Sequence, residues 1–88
     1  MFVIEDETHA EPIKGEYKTF DDAFIELEKR AAIPWDEKPN RCPCSNWKDC
    51  QRNYQIIEYE TTIIPWKELQ RRNVLTISAK GLKWTEKR

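Results

Sequence analysis

TFDDAFIELEKRAA, residues 19–32, is the stretch in which this sequence predicts a helix most strongly. Its apolar side chains recur at spacings of three and four, which places them in one stripe: Phe20, Ala23, Phe24, Leu27 and Ala31. Thr19 can cap the free N–H groups of the first turn, and Asp22 follows three residues later, as in a capping box. Pro34 disfavours helical geometry at the residue before it, so we expect the helix to end near Ala32. A helix with one apolar stripe predicts a sheet for it to pack on.

Two short strands are predicted before this helix. The first is the apolar run at residues 2–4, and the second, at residues 10–14, follows after a polar turn. Pro12 confines the second strand to an edge of the sheet or to a bulge, because proline cannot donate a backbone hydrogen bond. After the helix, residues 34–52 are rich in proline, asparagine and serine, so we expect an ordered loop there. Tryptophans and cysteines within the loop argue against disorder, since these residues are normally buried.

The last third of the chain predicts strands. We expect them at residues 54–61, 74–79 and 82–85, where β-forming residues are frequent or alternate with polar ones. Gly81 allows a tight turn between the last two. Pro65 predicts the start of a short helical turn through residues 66–70, and residues 86–88 are expected to form a frayed tail.

Together these elements predict an α+β fold in a single domain, residues 1–88. The architecture is a small antiparallel sheet of four to five strands with one main helix on one face and a long Pro/Trp/Cys loop. A length of 88 residues leaves no room for a second core. Charged residues make up 35% of the chain and apolar ones 39%, which is typical of a small globular protein.

Charge and hydropathy limit which partners and which cellular location the sequence predicts. No apolar run approaches the roughly 20 residues that span a bilayer, so no membrane is expected. Residues 1–7 lack the features of a signal peptide, which predicts a cytoplasmic location. Residues 67–88 carry seven basic against two acidic side chains, while residues 1–37 carry four against eleven. The basic C-terminal third is a weaker hypothesis for nucleic-acid binding, because the chain has a pI near 5.9.

All three cysteines, Cys42, Cys44 and Cys50, fall within nine positions. With His9, the only histidine, they could form a Cys₃His zinc site. We expect no cofactor, and zinc is the alternative that this set allows. The C-x-C-x₅-C spacing is not that of two C-x₂₋₄-C knuckles, however, and the histidine is distant in sequence. A metal site, thiol chemistry and simple packing of the sulfurs therefore all remain open.

Thiol chemistry would use a thiolate stabilised by neighbouring cations. Arg41, Lys48 and Arg52 are close enough in sequence to lower a thiol pKa. A disulfide between Cys42 and Cys44 would close a very small, strained ring. The chain has no G-x-S-x-G, H-E-x-x-H or phosphate-binding glycine-rich motif, so we do not expect an enzyme.

The leading hypothesis from the sequence is a non-enzymatic binding or interaction module whose partner is another protein. The chain has four tryptophans, and three of them stand beside prolines and charged residues. Such a composition suits an interaction surface. We expect its centre in the loop, at Trp35, Asn40, Arg41, Trp47 and Arg52. The sequence does not predict an oligomeric state.

A pattern PWD..PN..PC..W..C.R.Y runs through Pro34-Trp35-Asp36, Pro39-Asn40, Pro43-Cys44, Trp47, Cys50, Arg52 and Tyr54, and Glu58-Tyr59 continues it. In this pattern, and in the Gly15–Ala23 approach to the helix and the closing Gly81, the chain resembles a group of short bacterial proteins with no assigned function. In that group a small residue often stands at the position of Cys42. The resemblance therefore implies that Cys44 and Cys50 are the shared pair. It also implies a bacterial cytoplasmic protein and supplies no activity.

Overall fold

The computed structural model describes residues 1–86 and contains one α-helix and one antiparallel sheet. The elements in chain order are β1 (Phe2–Asp6), β2 (Glu11–Tyr17), α1 (Phe20–Ala31), a short 3₁₀ helix (Trp47–Asp49), β3 (Gln51–Glu60), β4 (Lys67–Ser78) and β5 (Gly81–Trp84). The five strands lie in the order β2-β1-β3-β4-β5. The predicted α+β class, with a five-stranded antiparallel sheet and one helix, is confirmed.

The helix begins and ends where the sequence predicts. The Thr19 hydroxyl accepts a hydrogen bond of 3.0 Å from the backbone N–H of Asp22, which satisfies one free donor of the first turn. Ala23, Phe24 and Leu27 are buried, so the apolar stripe faces the sheet. Phe24 also stacks on Trp84 of β5, with the ring centroids 5.0 Å apart. The helix therefore packs on one face of the sheet.

In β1 the core-facing side chains alternate with outward ones, as the pleat requires. Ile4 in β1 lies between Ile13 and Ile56, and Tyr54 of β3 lies opposite Leu75 of β4. These residues belong to one hydrophobic cluster with the buried side of the helix. By the same alternation, Asp6 lies on the core side of β1, two residues beyond Ile4 and directly opposite Tyr54.

One sequence prediction is wrong. Residues 67–70, for which we expected a short helical turn, belong to strand β4. Lys67 pairs with Glu60 and Glu68 with Tyr59 of β3, so the hairpin continues past Glu58, the last β3 residue that pairs with β1. The apolar spacing after Pro65 resembles one turn of helix, but cross-strand hydrogen bonds along a long hairpin outweigh that weak local preference.

Other boundaries differ by a few residues. Strand β3 begins at Gln51 rather than residue 54, and β2 extends to Tyr17. Pro12 lies in β2, which is an edge strand, as predicted. The predicted tail at residues 86–88 lies outside the described residues apart from Glu86.

Between α1 and β3, residues 32–50 form turns and bends around the 3₁₀ helix. Asn40 holds the start of this segment against the helix, since its side-chain amide donates to the backbone carbonyls of Arg30 and Ile33 at 2.7 and 2.9 Å. Those carbonyls lie at the helix C-terminus, where acceptors lack partners within the helix. Within residues 1–86, no helix combines the length and apolar character needed to cross a membrane.

Candidate metal centre

Three side chains with metal-binding atoms converge at one end of the sheet. They come from three segments: His9 from the turn between β1 and β2, Cys44 from the segment after the helix, and Cys50 from the position before β3. Their ligand atoms all lie within 4.8 Å of one another. His9 Nε2 is 3.1 Å from Cys50 Sγ and 3.9 Å from Cys44 Sγ. The distant histidine and two of the three predicted cysteines are thus brought together.

These separations are compatible with one tetrahedral zinc ion. With bonds of about 2.3 Å to sulfur and about 2.0–2.1 Å to nitrogen, a tetrahedron places a sulfur about 3.5 Å from the nitrogen. The two observed N–S distances, 3.1 and 3.9 Å, bracket that value. Shifts of about 0.4 Å would bring each of these two N–S distances to the tetrahedral value. All three residues are only partly buried, so an ion has access to them.

Asp6 fixes the orientation of the histidine. Its Oδ2 atom lies 2.6 Å from His9 Nδ1, so Nδ1–H donates to the carboxylate and Nε2 faces the two sulfurs. A carboxylate behind a histidine in this way holds the ring and selects the nitrogen that binds a metal. Asp6 is itself fully buried and accepts hydrogen bonds from the backbone N–H groups of Thr8 and Asn53.

Arg52 connects the carboxylate to the cysteine-bearing segment. Its Nη1 donates to Asp6 Oδ2 and Glu11 Oε1, both at 2.9 Å. Its Nε and Nη2 donate to the backbone carbonyls of Asn40 and Arg41, both at 2.8 Å. One guanidinium therefore holds β1, β2 and the segment leading to Cys44 in fixed relation. The buried charge of Arg52 is tolerated because it is paired with carboxylates and its other N–H groups donate hydrogen bonds to backbone carbonyls.

Asn40 and Arg52 do not act as the surface contacts that we expected. They are only 1% and 4% exposed, because their polar groups are used inside the fold. Trp35 is partly buried and packs against the hydrophobic core. Trp47 lies 5.6 Å from Trp35 between ring centroids, and the Arg41 guanidinium lies 5.3 Å from the Trp47 ring centre. Of the predicted surface, Arg41 is exposed and Trp35 and Trp47 are partly exposed.

Cys42 is beside the cluster but not within it. The set of ligand atoms that are mutually within 4.8 Å contains His9, Cys44 and Cys50. Cys42 is buried, and burial together with its hydrogen bond to Cys50 raises the pKa of its thiol to about 12. Of the four residues predicted for a Cys₃His set, the structure thus groups His9, Cys44 and Cys50, and Cys42 lies next to this group.

The neighbouring side chains lower the pKa of the Cys50 thiol. A hydrogen bond from the Cys44 thiol lowers the pKa of Cys50 to about 7, with His9 and Cys42 contributing in the same direction. That same bond raises the pKa of Cys44. Burial would lower the pKa of His9, but its bonds to Asp6 and Cys50 outweigh burial and raise it. Without a metal, Cys50 therefore forms a thiolate more readily than Cys42 or Cys44, and it lies beside a histidine whose pKa is raised.

Asp6 and the role of Arg52 were not predicted from the sequence. A signal for Asp6 exists, because strict alternation from Phe2 through Ile4 places this carboxylate on the core side of β1. A charged residue at a core position indicates a buried partner. No such signal identifies which cation is the partner, since Arg52 is 46 residues away.

Two of the described basic residues in the C-terminal third, Arg71 and Arg72, do not share one face. Arg71 and Arg72 are consecutive in β4 and so point to opposite sides of the sheet. Arg71 pairs with Glu68 and Glu5, whereas Arg72 lies over the ring of Phe20 on the helix side. This arrangement gives the nucleic-acid hypothesis no support.

We compared the chain with models of protein families, with curated proteins and with solved structures, and none of the three comparisons gave a match. The resemblance to short bacterial proteins therefore stays a prediction.

Proposed function

We propose that this protein is a small zinc-binding module in which His9, Cys44 and Cys50 hold the ion. The observation that supports the proposal is the convergence of the three ligand atoms within 4.8 Å, from segments far apart in sequence. Exposed acidic groups often gather without binding a metal. Two thiols and an imidazole backed by a buried carboxylate are a more selective set, because each is a preferred zinc ligand or orients one.

The donor set favours zinc among the common ions. Thiolate and imidazole ligands in tetrahedral arrangement suit zinc, whereas magnesium and calcium require oxygen ligands. Binding would remove the thiol protons of Cys44 and Cys50 and any proton on His9 Nε2. The hydrogen bond from Nδ1 to Asp6 would remain. Zinc affinity should therefore fall as the pH decreases.

The ion would cross-link three segments that lie outside the hydrophobic core. It would join the β1–β2 turn, the segment after the helix and the start of β3 at one point. Residues 32–50 have little regular structure, and a chain of 88 residues buries a limited core. A metal cross-link is one of the usual means of stabilising such small domains.

Metal content tests the proposal. Protein purified without chelators is analysed by elemental mass spectrometry, for the wild type and for the His9→Ala and Cys44→Ser variants. Ser45→Ala is the matched control, because Ser45 is exposed and adjacent to a proposed ligand. We expect about one zinc per chain in the wild type and the control and little in the other two. A wild type that neither retains nor takes up zinc would refute the proposal.

An interaction with another protein is the second candidate function. It is favoured by the exposed Arg41 beside the partly exposed Trp47, two residue types common at interface centres. Affinity capture with the wild type, Arg41→Glu and Lys80→Glu as charge-matched control tests it. A partner retained by the wild type and the control but lost with Arg41→Glu would support this function. Equal capture by all three would contradict it. A cytoplasmic location remains the expectation for a protein with reduced thiols.

A further inference from the structure

The proposed zinc centre borders a cavity of about 620 Å³. Cys44, a proposed ligand, lines this cavity, and so does Cys42. The three grouped ligands leave one position of a tetrahedron unfilled, and Cys42 lies outside their mutual 4.8 Å range. Three protein ligands with an open fourth position are the arrangement of exchangeable zinc sites, whereas four protein ligands close the ion off.

The cavity wall is positively charged. Lys38, Arg41 and Arg52 line it together with one acid, Glu11. The charge of Arg52 is offset by its ion pairs with Asp6 and Glu11. Among residues 1–86, no ion pair forms at Lys38 or Arg41, and both are exposed. The wall therefore has two positive charges without an acidic partner.

Arg41 is held at the wall rather than free in solvent. Its guanidinium lies 5.3 Å from the centre of the Trp47 ring, within the range of a cation–π contact. Its backbone carbonyl is bound by Arg52 Nη2 at 2.8 Å. Trp47, Pro39 and Pro43 add apolar surface to the same cavity. Charged and apolar groups on one wall suit a small organic anion.

The number of thiolates decides whether an anion is admitted. Zinc bound by two thiolates and a neutral imidazole has no net charge, so the field of Lys38 and Arg41 is left intact. A third thiolate from Cys42 would make the centre negative and oppose an anion beside it.

We propose, on the basis of the zinc site above, that the fourth coordination position binds an oxyanion. The ligand class is a carboxylate- or phosphate-bearing small molecule. One oxygen would complete the tetrahedron, and Lys38 and Arg41 would hold the negative charge. A cavity of 620 Å³ is within the range of about 300–1,000 Å³ typical of small-molecule sites.

Cobalt(II) in place of zinc makes the site visible, because its absorption bands change with the ligands around it. The cobalt protein is titrated separately with inorganic phosphate and with acetate at constant ionic strength. We expect a saturable shift of the bands, and the anion with the lower dissociation constant identifies the preferred oxyanion. The Lys38→Ala/Arg41→Ala double variant should bind it at least about tenfold more weakly, since hydrogen bonds to charged groups are lost.

The controls separate the possible failures. Lys18→Ala/Lys83→Ala removes the same charge at two exposed lysines that line neither this cavity nor the one beside Cys50, and it should leave anion binding unchanged. Cys42→Ser should leave the intensity of the sulfur-to-cobalt charge-transfer bands unchanged, because Cys42 is not a ligand. Bands that neither anion shifts, or a loss of charge-transfer intensity in Cys42→Ser, would overturn the open position while leaving the metal site in place. Absence of cobalt bands would remove both the metal site and this inference.

Discussion

At the residue scale, Asp6 links the fold to the candidate site. Its Oδ2 atom accepts hydrogen bonds from both His9 and Arg52, and the residue lies on the core side of a strand with no exposed surface. The same carboxylate therefore orients a proposed ligand and neutralises a buried cation. Changing it should alter metal affinity and stability together.

Asp6→Asn tests this double role. Asparagine keeps the size but loses the charge, so Arg52 loses its buried partner and His9 its anionic acceptor. We expect zinc affinity to fall by about 10–100-fold and the free energy of unfolding to fall by about 3 kcal/mol. Competition with a chromophoric chelator measures the first and urea denaturation of the metal-free protein the second. Glu11→Gln, at the half-exposed partner of Arg52, should cost about 1 kcal/mol or less. Equal effects of the two changes would contradict the role of Asp6.

The thiols of the metal-free protein should differ in reactivity. The hydrogen bond from Cys44 lowers the pKa of Cys50 to about 7, whereas burial raises that of Cys42 to about 12. Only the thiolate is nucleophilic, so alkylation of Cys50 should rise as the pH increases through 7, while Cys42 stays unreactive. Site-resolved mass spectrometry after brief iodoacetamide treatment measures the order. Cys42 reacting first would contradict these assignments.

The set of candidate ligands could be predicted from residue types, but which of the three cysteines lie near His9 could not. Three clustered cysteines and one histidine already predicted a metal set, since few other residues bind zinc. Which of the sulfurs approach the histidine depends on the path of residues 32–50, which is fixed by Asn40 and Arg52 through long-range bonds. Local sequence carries no record of those bonds. The same bonds explain why Asn40 and Arg52 are buried rather than exposed.

At the element scale, helix α1 was predictable because its signals are local. The cap, the apolar stripe and the stop before Pro34 all lie within sixteen residues, 19–34. Strand β4 was predictable only in its second half. Residues 67–70 become a strand by pairing with β3 across a hairpin, and such pairing is stabilised by contacts that a short window does not include.

Thr19→Ala should weaken the helix by removing its cap. The hydroxyl accepts the N–H of Asp22, and losing such a cap costs about 1 kcal/mol. Chemical denaturation of the metal-free protein measures the change. Thr62→Ala is the control. The Thr62 hydroxyl donates a hydrogen bond to Glu60 at the exposed end of the β3–β4 hairpin, so its loss should cost about 0.5 kcal/mol or less. A cost at Thr19 no greater than at Thr62 would contradict the capping role.

At the scale of the whole molecule, the hydrophobic core and the candidate site occupy different places. The core lies between α1 and the sheet, while the site joins the loop segments at one end. The core can therefore form without metal, and we expect the chelated protein to keep its helix and sheet. The site should add stability without setting the architecture.

Zinc should raise the melting temperature of the protein. A ligand present at 100 times its Kd adds about 2.7 kcal/mol to the folded state. For a domain of this size that corresponds to about 10–20 °C. Thermal denaturation followed by circular dichroism, with and without zinc, measures the shift, and His9→Ala should abolish it. An equal shift in that variant would place the metal elsewhere.

X-ray absorption spectroscopy of the purified zinc protein tests the central claim most directly, because it counts the atoms bound to the ion. Coordination by His9, Cys44 and Cys50 predicts two sulfurs at about 2.3 Å and two nitrogen or oxygen atoms at about 2.0–2.1 Å. Three sulfurs would place Cys42 in the coordination sphere and close the fourth position. A shell without sulfur would contradict the site itself.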